Sequence, residues 1–278
     1  MTATRLFHYV ALAVLAALVV TVVSPLRGQQ AYRERPVALD GTVKGTVKLR
    51  GPATGEQWEL VTKDTDYCGK RKSSQRLLVG KGSGVENAVV YLEAIAGGKK
   101  FSPTARVTLR QRSCEYEPHI LLLPPNAELE IVNDDPVLHN VHAYDVRPVR
   151  RSVFNIAQPL KGQRTRLGAD QLRGEGEVVA TCDAGHPWMS GYVFRMAHPY
   201  YAVTNRSGEY LLENVPPGRY TLKMWHEGVA VRSSRVGVGA PPTVEDPYEL
   251  SQEISVAPRT TCTADFELVL RTPVSASE

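Results

Sequence analysis

Beyond the N-terminal residues, almost every apolar segment of the chain repeats with period two and is closed by Gly, Pro, Asn or Asp. That pattern belongs to half-buried strands joined by turns, not to helices. It predicts an all-β protein. The strands fall at Gly41–Arg50, Ala88–Ala94, Ile120–Leu123, Leu129–Val132, His139–Tyr144, Glu177–Thr181, Tyr192–Met196, Glu209–Leu212, Tyr220–Trp225, Ser234–Val238 and Asp265–Arg271. Only Ala169–Leu172 and parts of the stretch from Pro148 to Gln171 suit a short helix.

The N-terminus breaks this pattern. Tyr9 to Val23 is an apolar run interrupted only by Thr21, with Arg5 before it and Ser24-Pro25 after it. It reads as an export signal over residues 1–31, or as an uncleaved anchor. The run is shorter than the roughly 20 residues of a spanning helix, yet no clean small-x-small cleavage site follows it. The remainder is expected in the periplasm or on the extracytoplasmic face of the membrane, with the N-terminus as the point of any membrane association.

Composition narrows function little. At 278 residues, 42% hydrophobic and 22% charged, the chain has the make-up of a soluble globular protein with room for two cores. A net charge of +4 without an aromatic-basic motif gives no case for nucleic acid. The four cysteines would form two disulfides by default in an oxidising compartment. Cys182, however, sits in a metal-ligand spacing, which leaves at most one internal bridge. Cys68 and Cys114, both in turn-rich flanks, are its expected partners, and Cys262 shares parity with Ala264, Phe266 and Leu268 as a small core residue.

Two pieces distant in sequence read as halves of one domain. Residues 36–100 supply the alternating Gly41–Arg50 and Ala88–Ala94 strands. Residues 197–272 supply a hairpin turning at Ser207-Gly208, the run Val215-Pro-Pro-Gly-Arg-Tyr220-Thr-Leu222, and the closing Phe266-Glu-Leu268. Together they resemble the carboxypeptidase regulatory-like, prealbumin-like β-sandwich. Residues 101–196 are then an inserted domain, and 273–278 a tail.

The inserted segment carries the chemistry. His139-Asn140-Val141-His142 follows a hairpin, and Cys182-Asp183-Ala184-Gly185-His186-Pro187-Trp188-Met189 forms one tight loop. A thiolate, two imidazoles and a weak thioether are the donors of a blue-copper centre. Val178, Ala180 and Cys182 share a strand face, as do His139, Val141 and Ala143, so His139 rather than His142 is expected to point inward. His119, His198 and His226 lie beside apolar or aromatic residues; the first reads as a satisfied edge residue, the other two as packing at a domain border. Val178 stands where a dinuclear copper centre needs a second cysteine, and the paired spacings of structural zinc, c-type haem and multicopper oxidases are missing.

The run from Asn133-Asp-Asp-Pro-Val-Leu to His139-Asn-Val, with the Cys182, His186, Met189 loop, is similar to the cupredoxin family of plastocyanin, azurin and amicyanin. The resemblance implies a Greek-key cupredoxin β-sandwich or barrel beside the prealbumin-like sandwich. It further implies one type 1 copper ion held by His139, Cys182, His186 and Met189. Asn140 would hydrogen-bond the cysteine loop and Trp188 would shield the metal. The implied activity is electron transfer with a redox protein partner of cytochrome or dehydrogenase type, through a solvent-side edge of His186. Residues 145–175, with seven Arg or Lys against three acids, would steer an acidic partner. No catalytic carboxylate pair or nucleophile is recognisable, so an enzyme is not expected. A scaffold subunit of an envelope complex, with the copper structural or lost, is the alternative.

Overall fold

The computed structural model describes residues 31–52, 57–102, 106–145, 150–172, 174–233 and 243–271. The expected leader, the tail and the strand at 234–238 lie outside them. The described residues fold almost entirely as strands, as the period-two pattern requires. The α-helix among them is one turn, Thr65–Cys68.

One sandwich is assembled from both ends of the chain. Its first sheet orders Tyr201–Val203, Val89–Leu92, Gly218–His226 and Tyr248–Val256. Its second places Gly41–Arg50 between Glu209–Val215 on one side and Thr261–Thr263 followed by Phe266–Val269 on the other. Alternation orients the side chains: Tyr210 and Leu212 are buried while Glu209 and Leu211 face water. Val43, Val47, Leu92, Leu222 and Leu268 fill the space between the sheets.

The intervening residues form a second sandwich. One sheet orders Arg164–Leu167, Glu128–Asn133, Arg106–Arg112 and Glu115–Glu117; the other orders Arg151–Gln158, His139–Asp145, Gly176–Thr181, Ser190–Arg195 and Ile120–Leu123. The two remain separate ladders and do not close into a barrel. Leu109, Leu129 and Ile131 of the first meet Val141, Ala180 and Val193 of the second in one core.

Three sequence expectations change. The stretch expected to hold a short helix between Pro148 and Gln171 instead supplies the strands Arg151–Gln158 and Arg164–Leu167. Both are sheet edges, where one exposed flank tolerates Arg, Asn and Gln and so hides the alternation. Ala169–Leu172 is a turn. Finally, residues counted with the first sandwich reach into the second. A hairpin pairs Trp58–Leu60 with Arg71–Ser73, and its tip buries Val61 and Cys68 in the core of the inserted domain.

A third apolar cluster joins the sandwiches: Val89 and Trp225 from one, Ile120, Tyr192, Phe194 and Met196 from the other. Trp225 stands edge-on to Tyr192 at 4.9 Å and to Phe194 at 4.7 Å. His119 is buried at this seam, donating from Nδ1 to the Ser190 carbonyl and meeting Glu227 at Nε2. His226, beside Glu227, is buried there too. His198 lies instead among Tyr32 and Tyr200 and donates to the Leu92 carbonyl, inside the first sandwich.

Truncating Trp225 should leave a void at the seam. Trp225→Ala is expected to cost about 3–5 kcal/mol, read from the denaturant midpoint of the metal-free protein.

Candidate metal centre

The site lies where the histidine strand His139–Asp145 and the cysteine strand Gly176–Thr181 run antiparallel, His142 opposite Thr181. Continuing that register puts Asn140 beside Asp183, and the Asn140 Oδ1 accepts the Asp183 N–H at 2.9 Å. Cys182 ends the inward row of Val178 and Ala180, and all three are buried. Gly185 then takes φ +95°, a conformation side chains resist, and the Met189 N–H closes the turn on the His186 carbonyl at 3.0 Å. His142 points away, to Asp183, Tyr144 and Ser152.

Three predicted donors meet. The Nδ1 atoms of His139 and His186 are 3.1 Å apart, and the Cys182 Sγ is 3.5 Å from the latter. His139 and His186 have no exposed surface, and Cys182 has 2%. Met189 is buried in the same core, as is Trp188, whose ring lies 5.0 Å from that of His186 and whose Nε1 donates to the Cys114 carbonyl. Cys68 and Cys114 are disulfide-bonded, while Cys262 is free and half-buried.

Two residues outside the expected set fix the imidazoles. The Nε2 of His139 is 2.8 Å from Asp135 Oδ2, and the Nε2 of His186 is 2.8 Å from Asp64 Oδ2. A carboxylate only accepts, so each ring carries its hydrogen on Nε2 and turns the Nδ1 lone pair toward the other ring. Asp135 is desolvated, which alone would raise its pKa. The hydrogen bonds from His139, the Cys114 N–H, Tyr67 and the Ser113 N–H outweigh that and bring it to about 2.

The arrangement suits a cation. Two lone pairs facing at 3.1 Å repel unless a proton or a metal ion lies between them. Donors about 2.0–2.3 Å from one ion stand roughly 3–4 Å from each other, which matches the separations found here. Burial raises the Cys182 thiol pKa, although the N–H groups of Ala184, Asn140 and His186 work against it. Burial lowers the pKa of His186, against the pull of Asp64, and so favours the neutral ring that can donate. A soft thiolate with two imidazoles suits copper or zinc, and a thioether in the same loop favours copper.

One expectation fails here. The edge of His186 does not face solvent, because Asp64 and the hairpin tip cover it. Among the described residues of 145–175, four of the basic side chains have partners. Arg164 and Arg166 pair with Glu130, Arg151 with Asp145, and Arg150 lies over Tyr144.

Neither a protein-family model nor a curated protein matches the sequence. Among solved structures, the chain is similar to a purple cupredoxin from Nitrosopumilus maritimus, at 26% identity over 32% of this chain and 98% of that one, with a TM-score of 0.27. It is also similar to a copper-containing nitrite reductase from Thermus scotoductus, at 23% identity over 38% and 25% of the chains, TM-score 0.27. Amicyanin from Paracoccus versutus gives 16% identity over 34% and 85%, TM-score 0.28.

Asp135→Ala should strand the His139 ring hydrogen, the Tyr67 hydroxyl and two backbone N–H groups. Metal affinity, measured by competition with a chelator, is expected to fall about 10–100-fold. Asp135→Asn, which keeps an acceptor, should lose less.

Proposed function

We propose that this chain is an exported electron carrier in which His139, Cys182 and His186 would hold one type 1 copper ion, with Met189 as a weak thioether donor. The observation that supports this most is the convergence of two imidazole nitrogens and one sulfur, all buried, at separations a single ion would set.

Bound there, copper would supply a one-electron couple. The protein's part is to keep the donors still. His139 is held by Asp135 and His186 by Asp64, and the cysteine loop is tied to the histidine strand through Asn140. Donors fixed before the electron arrives move little when it does, and transfer is fast for that reason. The Trp188 ring and the core beneath it keep water from the sulfur.

An electron carrier needs no seat for a substrate. The cavity touching Trp188 and Met189 has about 20 Å³, room for about one water molecule. A redox protein in an extracytoplasmic compartment is the proposed partner, with the prealbumin-like sandwich as the frame that carries the copper domain.

Titration of the purified protein with Cu(II) should saturate at one ion and produce an intense visible sulfur-to-copper band with a type 1 paramagnetic spectrum. Cys182→Ser should abolish that band. Absence of the band from the unaltered protein would overturn the electron-carrier reading in favour of the scaffold.

A further inference from the structure

The hairpin tip between Leu60 and Arg71 crosses the candidate centre as a strap. Four of its residues reach the site. Lys63 Nζ donates to the Ala184 carbonyl at 2.6 Å, and the Lys63 stem lies against Gly185. Asp64 takes the Nε2–H of His186. Tyr67 donates to Asp135 at 2.8 Å, so the strap touches the carboxylate partners of both imidazoles. Cys68 bonds Cys114 and fastens the tip to the sheet.

Asp64 does not serve its own helix turn. It stands at the N-cap of Thr65–Cys68, where an aspartate ordinarily bonds a backbone N–H of the first turn, and it makes no such bond. Its φ is +51°, in the left-handed region that Asp and Asn enter more readily than other side chains. The carboxylate is spent on His186 instead. A residue that leaves its helix turn uncapped while its carboxylate bonds an imidazole is placed for the imidazole.

Resting on the copper reading above, we infer that Asp64 is a positioning residue: it locks the orientation of His186, lowers the reduction potential of the centre, and shuts the ring edge away from partners. The charge argument fixes the sign. An anion accepting the ring N–H makes the imidazole a stronger donor, which favours the more positively charged, oxidised ion. Removing the charge must shift the potential upward. The electron then crosses the strap rather than passing directly from the ring, with no bond made or broken.

Asp64→Asn keeps an acceptor and tolerates the left-handed backbone but loses the charge. Asp64→Gly loses both acceptor and cover. In the copper-loaded full chain, the potential should shift positive in both variants. Reduction by a small inorganic complex, hexaammineruthenium(II), should be several-fold faster in Asp64→Gly, beyond what its potential alone gives. In the metal-free protein, proton NMR should show a slowly exchanging His186 Nε2–H in the parent and in Asp64→Asn but not in Asp64→Gly. An intact copper band with unchanged potential and rate in both variants would overturn this inference alone. No band in the parent protein would overturn the copper reading and this inference with it.

Discussion

The carboxylate of Asp135 is the fixed point of the inserted domain. It has no exposed surface and accepts from four groups: the His139 ring, the Tyr67 hydroxyl, and the N–H groups of Ser113 and Cys114. They come from three parts of the chain. The Ser113-Cys114 pair turns Arg106–Arg112 into Glu115–Glu117 with both residues at positive φ, +52° and +57°. Neither is glycine, so the turn depends on a partner for its inward N–H groups, and the carboxylate supplies one. One buried anion thereby couples a strained reverse turn, a disulfide, a strap and a donor imidazole.

This end of the core is polar by construction. Gln111, Asn133, Asp135, His139, Gln158 and His186 are all buried without exposed surface, and they bond one another or nearby carbonyls. Another surface of the domain is apolar and meets the other sandwich through Trp225 and Phe194. Neither sandwich is a self-sufficient neighbour of the other. The frame lends the strap that covers His186, and the inserted domain answers with His119, whose ring spans from the Ser190 carbonyl to Glu227.

What the sequence revealed followed the range of its signals. Alternation located Gly41–Arg50 to the residue, and the short all-apolar run Ile120–Leu123, buried at three of its four positions, did the same. Inward parity set His139 and Cys182 on the core side and His142 off it. It failed at edge strands such as Arg151–Gln158, whose exposed flank admits polar residues on both faces. Asp135 was visible within the run before His139, four positions away, but nothing in that run states that its carboxylate faces the ring. Asp64 lies 122 positions from His186, and no local periodicity connects them. The solvent-facing imidazole edge was lost for the same reason, since a strap folding back from the other domain leaves no trace in the loop it covers.

The strand Gly41–Arg50 has a further consequence for assembly. Apart from one bridge between Lys48 and Gly84, its ladders are all with residues 209–215, 261–263 and 266–269. A chain emerging from its N-terminus therefore makes this strand long before the segments that complete its sheet exist. The inserted domain can gather most of its core first, while the frame waits for the last residues and closes around a finished guest.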